Sequence, residues 1–250
     1  MEIVELKLSV TNCYLIKCHQ KYILVDTGYE YDWALFCKRL KEAKVSLSQI
    51  SHIILTHHHD DHCGLITKIL EINSSIHIVM SKHAGDLLIK GENDRAHGGG
   101  LINKRIEYLI RLKQLYLSLV LKKSVKKEGN LKFPPYKVRE IDRIISGETK
   151  LEDVGIDIKG RIIETPGHTI DSISIIFDDG DCIAGDAAAN FLQFAGTKYC
   201  VIFITDIQEY YLSWKKLLSQ NARRIFPAHG KPFMAKRLAE NMGKIRSLER

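Results

Sequence analysis

The chain has 250 residues, 45% of them apolar, 27% charged and 8% aromatic, with a formal charge of +7 and a pI near 9.0. This composition and length suit one large α/β core or two small ones, and the mean hydropathy of −0.13, with no apolar run near the ~18 residues of a bilayer span, excludes a multi-span membrane protein. The basic balance leaves three kinds of partner to weigh: nucleic acid, an anionic membrane surface, or an acidic small molecule.

The start, Met-Glu-Ile-Val-Glu-Leu-Lys, has no basic segment followed by an apolar stretch, so a secretory signal is not expected. Cysteines 13, 18, 37, 63, 182 and 200 form no Cys-x-x-Cys pair, which predicts reduced thiols in a cytoplasmic protein. Short β-rich runs at Ile3–Val10, Cys13–Lys17 and Tyr22–Val25 lead into the turn Asp26-Thr27-Gly28, and Trp33, Phe36, Cys37 and Leu40 then recur at helical spacing. A strand at His52–Leu55, a polar cluster at 56–64, a helix over 65–73 and a strand at Ile76–Met80 complete an α/β alternation. Beyond Gly91 the pattern changes to a long amphipathic helix or helix pair from Leu101 to Leu121, closed by Pro134-Pro135. Strands resume near Ile141–Ile144, Ile156–Ile163, Ile173–Phe177 and Cys182–Ala184. A helix at Tyr210–Leu218, a strand at Arg224–Phe226 and a closing helix over Ala235–Leu248 follow.

The informative stretch is Thr56-His57-His58-His59-Asp60-Asp61-His62-Cys63-Gly64, directly after an apolar strand. Alternation in an extended segment sends 57, 59 and 61 to one side, and a turn into the next helix can bring 62 alongside. Three imidazoles and a carboxylate suit zinc, iron or manganese, and the lack of thiolate pairs argues against a structural Cys-type zinc site. His58 and Asp60 are expected on the opposite face, with Asp60 a helix cap. Three later strand-to-loop junctions carry ligand types: His168 in Thr-Pro-Gly-His-Thr, Asp186 after Ala-Gly, and His229 in Pro-Ala-His-Gly. Each alone reads as a turn residue; together they favour one convergent site at strand ends.

The pattern His57-x-His59-x-Asp61-His62, followed in order by His168, Asp186 and His229, resembles the metallo-β-lactamase superfamily, and Asp26-Thr27-Gly28 looks like its early strand-turn element. The resemblance implies an α/β fold: a four-layer αβ/βα sandwich of two mixed β-sheets, with an inserted helical segment. It also implies a single domain over 1–250 with a basic, lid-like insertion at about 90–140. By carry-over, two divalent metal ions would be held, zinc first with iron or manganese as alternatives. His57, His59 and His168 would bind one; Asp61, His62 and His229 the other; Asp186 would bridge. A bridging hydroxide would attack the substrate, Asp61 would also shuttle the proton to the leaving group, and Asp26 would orient a ligand histidine from behind.

The implied activity is hydrolysis of an ester, thioester or lactone bond in a small molecule. Ala187-Ala188-Ala189 after the bridging position, an Asp where the antibiotic-degrading branch has Cys, and only 20 residues after Gly230 steer away from the better-known branches. The alternatives are a mononuclear-iron sulfur dioxygenase, a metal-dependent nuclease, and a non-catalytic metal-binding signalling protein. Between 101 and 137 ten basic residues face two acidic ones, so this segment carries +8 and the rest −1. The charge therefore belongs to the insertion rather than the body and is a clue to what the insertion meets: an anionic substrate, a membrane surface or RNA. A nucleic-acid partner is not the expected one, and the insertion reads as a lid, a homodimer contact or a surface-binding element.

Overall fold

A computed structural model of the protein describes residues 2–94, 99–120, 132–246 and 248; within 114–120 it describes backbone alone. In chain order the elements are β1 (Ile3–Lys7), β2 (Asn12–Cys18), β3 (Lys21–Val25), α1 (Trp33–Glu42), β4 (Ile50–Ile54), α2 (Asp60–Cys63), α3 (Ile66–Ile72), β5 (His77–Ser81), α4 (Ala84–Leu88), β6 (Gly100–Leu101) and α5 (Lys104–Val120). There follow β7 (Arg143–Ile145), β8 (Thr149–Lys150), β9 (Gly160–Glu164), β10 (Ile173–Phe177), β11 (Asp181–Gly185), β12 (Phe203–Ile204), α6 (Ile207–Ser219), β13 (Arg224–Pro227), β14 (Phe233–Met234) and α7 (Lys236–Asn241).

Alternation along the strands sorts the core into three clusters. Tyr14, Ile16, Ile23, Val25 and Ile54 face inward from the first sheet and meet Ile162, Ile173, Ile175, Phe177 and Ile183 of the second. Their neighbours Leu15, Leu24 and Ile53 point the other way, onto Phe36 and Leu40 of α1 and Ile66 and Ile69 of α3. On the far side Ile163, Ile176, Cys182 and Ile225 pack under Tyr210, Trp214 and Leu217 of α6 and Leu238 of α7. The result is helix, sheet, sheet, helix: the expected four layers. Both sheets are mixed. The first runs β1-β2-β3-β4-β5-β7, parallel from β3 onward. The second runs β14-β13-β11-β10-β9-β8, with β11 and β13 parallel.

Three boundaries differ from expectation for local reasons. α6 starts a turn early because Asp206 caps it, accepting from the amides of Gln208 (2.8 Å) and Glu209 (3.1 Å). α7 stops at Asn241, not Leu248, shortly before Gly243 takes a left-handed φ of 74°. The strand expected from Ile156 begins only at Gly160, after a 3-10 turn over Leu151–Val154.

Of the insertion, Lys104–Val120 is helical, the described stretch 132–140 holds no helix, and residues 95–98 and 121–131 lie outside the described residues. Its ends are anchored on different halves. Ile102 and Ile106 join the α6 side core, whereas Phe133 and Tyr136 join the α1 side core. The returning arm is fastened by Asp142, whose carboxylate accepts from the Tyr136 hydroxyl (2.5 Å), the Arg139 guanidinium (2.7 Å) and the Ile78 amide (3.1 Å). Burial by itself would raise the Asp142 carboxyl, but these donors pull it below its usual value. A depressed carboxyl contributes stability that is complete above the ordinary pKa of about 4 and is lost as pH falls through the folded value. Asp142→Asn is accordingly expected to cost about 3 kcal/mol, roughly 6–12 °C in Tm, and to flatten the acid limb of stability in denaturant titrations at pH 3–7.

Candidate metal centre

Four loops at one edge of the sandwich converge. β4 ends at Ile54, the chain bends at Thr56, and His59 is extended (φ −65°, ψ 149°) where α2 begins. Alternation turns His57 and His59 toward the site, and the first turn of α2 swings Asp61 and His62 in beside them. The β9–β10 turn supplies His168, the end of β11 supplies Asp186, and the end of β13 supplies His229. Nε2 of His168 lies 3.0 Å from Nδ1 of His59 and 3.3 Å from Oδ2 of Asp186. Nε2 of His229 lies 3.4 Å from Oδ2 of Asp61 and 3.3 Å from Oδ1 of Asp186, and Nε2 of His62 lies 3.7 Å from each of these oxygens. All seven residues singled out in the sequence thus meet at one point.

Potential ligand atoms group into three sets, each with its atoms within 4.8 Å of one another: His57, His59 and His168; His57, His62 and Asp186; and Asp61, His62 and His229. These are sites that could hold a metal ion. Nε2 of His57, Nε2 of His62 and Oδ1 of Asp186 are buried without a hydrogen-bond partner. Leaving such atoms unpaired in a protein interior is costly, and a cation at their focus satisfies all three. The far sides of the rings point the same way. Nδ1 of His62 meets Asp26 at 2.8 Å, Nδ1 of His168 meets the Phe203 carbonyl at 2.9 Å, and Nδ1 of His229 meets the Val10 carbonyl at 3.2 Å. Donating the Nδ1 proton outward leaves each Nε2 lone pair facing the centre.

The charge balance fits a cation as well. Burial, reinforced by the neighbouring imidazoles, drives His57 and His59 well below the usual histidine range, so both are neutral and able to ligate. Burial would lower His62 too, but Asp61, Asp26 and Asp186 outweigh it and push it up to about 9. His229 is raised by Asp186 and Asp61 against the same opposing burial. The carboxylates thus gather positive charge, and a bound cation displaces those protons.

Asp26 carries a second load. It adopts a left-handed φ of 59°, its Oδ1 accepts from the Thr56 amide and its Oδ2 from the Thr56 hydroxyl, both at 2.8 Å. Gly185, at φ 51°, lets β11 approach this pair: a Cβ there would lie 2.7 Å from Thr56 Cβ. His58 does face away, as expected, and its Nδ1 pairs with Asp171 at 2.9 Å in full burial while Nε2 accepts from the Asp94 amide at 3.0 Å. Asp60 exchanges hydrogen bonds with Asn93, which accepts from the Asp60 amide at 2.8 Å and donates back at 2.9 Å. Sequence reasoning missed Asp171, and missed Tyr210 and Trp214 as supports. Their side chains donate to the carbonyls of Asp186 (2.9 Å) and Ala187 (2.6 Å), setting the loop on which Asp186 rides. Helical spacing marked both as core but held no sign of what they hold.

The family model of the metallo-beta-lactamase superfamily matches residues 6–229, from β1 to the last of the converging histidines. The chain belongs to this superfamily. A metallo-beta-lactamase family protein from Thermus thermophilus superposes with a TM-score of 0.66 over 97% of this chain and 78% of its own, at 17% identity, a likeness of fold. Among curated proteins, a beta-lactamase-like protein 2 homolog from Caenorhabditis elegans is 27% identical over 230 residues, covering 89% of this chain. The chain spans only 57% of that relative's length. The thioesterase pkgB of Emericella nidulans is 39% identical over 83 residues, 32% of this chain and 23% of the other. The superfamily's metal-dependent hydrolase fold is therefore present with a candidate His/Asp metal centre at its working edge, and among the described residues no helix is long and apolar enough to cross a membrane.

Proposed function

We infer that the protein is a dinuclear metal hydrolase cleaving an ester, thioester or lactone bond of a small molecule. The observation that carries this reading is a pair of three-residue groups that could each hold a metal ion, His57/His59/His168 and Asp61/His62/His229, with Asp186 in reach of members of both. The partial likeness to a thioesterase supports acyl rather than phosphoryl transfer. Zinc suits a site of imidazoles and carboxylates without thiolates, and iron or manganese share that preference. When bound, such ions activate water at neutral pH and polarise a substrate carbonyl.

The chain's own residues do the rest. His57 and His59 present neutral ring nitrogens, and His62, His168 and His229 turn Nε2 inward, with Asp26 and the Phe203 and Val10 carbonyls holding these three rings in register. Asp61 stands on the wetter side: its side chain is 13% exposed and that of His229 14%, against 0% for His62. Its Oδ2 accepts from the Thr11 hydroxyl at 2.9 Å, which fixes the carboxylate where it can receive a proton and pass it to a departing alcohol or thiol.

Metal analysis of the purified protein combined with an acyl-substrate panel tests the reading. Two metals per chain and turnover of aryl esters, thioesters or lactones are expected. A single iron with persulfide-dependent oxygen uptake would overturn it in favour of a sulfur dioxygenase, and full occupancy without turnover across these substrates would leave a metal-binding protein.

A further inference from the structure

Beside the metal centre a second surface is built from residues that the chemistry above does not use. The loop after Asp186 carries Phe191, whose ring centre lies 6.5 Å from that of His229, and then Phe194, which is 76% exposed. Across from Phe194 the first turns of α5 present Lys104, Arg105, Tyr108 and Leu109, and with Ala195 these line a groove of about 340 Å³. Tyr108 is 62% exposed and Phe191 42%. Large aromatic side chains standing in water mark a contact surface. Lys104 and Arg105 meet no carboxylate among the described residues, whereas Arg111 on the same helix is already paired with Glu107.

This wall is held in shape. Asn103 accepts from the Ile106 amide at 3.0 Å, capping α5, and its side-chain amide reaches the carbonyls of Ala195 (3.2 Å) and Gly196 (3.4 Å) across the groove. The Thr197 hydroxyl donates to the Phe191 carbonyl at 2.7 Å, and Leu192, Lys198 and Tyr199 all adopt left-handed φ. Strain of this kind persists only where the surroundings impose it, and it gathers at working sites. The same loop thus begins at a metal-centre carboxylate, passes an aromatic at the mouth of the centre and ends on a groove lined by two cations.

We propose that this groove is the subsite for an anionic, amphipathic acyl substrate: Lys104 and Arg105 take its phosphate or carboxylate, and Phe191, Phe194 and Tyr108 take its apolar portion while the acyl bond lies at the metal centre. The proposal rests on the hydrolase reading, and it names the substrate class as an acyl thioester or ester whose leaving group is negatively charged. Charge complementarity selects this occupant, because a neutral lipid or peptide would leave two cations facing an apolar ligand.

A pair of probes with the same acyl group and the same scissile bond tests it: octanoyl coenzyme A, which is anionic, and the octanoyl thioester of N-acetylcysteamine, which is neutral. The wild-type protein is expected to prefer the anionic thioester in kcat/KM. In the Lys104→Ala/Arg105→Ala double variant the preference should fall by about 30-fold, mostly through KM, and Lys104→Arg/Arg105→Lys should restore it. Phe194→Ala should lower kcat/KM for both probes about tenfold without changing their ratio. An unchanged ratio in the double variant overturns the subsite. If the same variant instead loses cosedimentation with phosphatidylserine vesicles, the surface serves a membrane. If the metal-loaded wild type hydrolyses neither thioester, the hydrolase reading fails by itself, and calorimetry with the thioether S-octyl coenzyme A decides the subsite separately. Binding weakened at least about tenfold by the double variant upholds it, and no binding to the wild type overturns it.

Discussion

Replacing Asp186 by alanine is expected to strip the centre of metal and lower turnover by roughly 10³-fold or more, with the fold intact. Among the described residues, Asp186 is the one side chain within 3.3–3.7 Å of ring nitrogens on three different loops, those of His168, His229 and His62. Its loss removes a charge that lies within reach of both ligand sets and, on the proposed dinuclear reading, the carboxylate between them. The backbone does not depend on that carboxylate, because the Asp186 carbonyl is held by Tyr210 and the following carbonyl by Trp214. Far-ultraviolet circular dichroism should therefore match the wild type while plasma emission spectroscopy finds little metal. His168→Ala should behave alike on the His57/His59 side. Full occupancy and unchanged activity in either variant would refute the ligand assignment.

Asp61→Asn separates holding from transferring. Asparagine is nearly isosteric, can still accept from the Thr11 hydroxyl, and leaves His57, His59 and His168 untouched. What it removes is a group able to take up a proton and give it back. The expected result is a fall in kcat of about 10²–10⁴-fold on an alkyl ester, whose leaving group needs a proton, with KM changed little and with the metal at the three-histidine set retained. The deficit should shrink for substrates with good leaving groups, such as nitrophenyl esters, which depart without protonation. A uniform loss across leaving groups, matched by loss of metal, would make Asp61 a ligand only.

How much of this could be read in the sequence depended on how local each relationship is. His57, His59, Asp61 and His62 sit within six residues, where alternation and a single helical turn decide which side chains converge. His168, Asp186 and His229 each follow an apolar strand, and the ends of neighbouring strands meet at a sheet edge whatever the connections between them. Asp26 was legible through its turn. By contrast, the partnership of His58 with Asp171 spans 113 positions and joins the two halves of the sandwich, so no spacing announces it. Tyr210 and Trp214 look like ordinary core residues of an amphipathic helix. Only the hydrogen atoms at the ends of their rings, aimed at one loop, tell otherwise. The groove beside α5 was hidden for a similar reason: its cations and Phe194 on its opposite wall lie some 90 residues apart along the chain.

The small pairing of β6 with β12 has reach beyond its two-residue length. Phe203, which pairs with Leu101 at the root of the insertion, is also the residue whose carbonyl orients His168. A change in the insertion is thus transmitted by a single strand register to a metal-facing imidazole. For protein engineering, this sets the graft points: a foreign insertion that keeps Gly100-Leu101 as its first step inherits the support of His168, and one spliced outside that step must rebuild it. On the proposed substrate groove, the same short piece of sheet would tie drift in substrate choice to the support of His168.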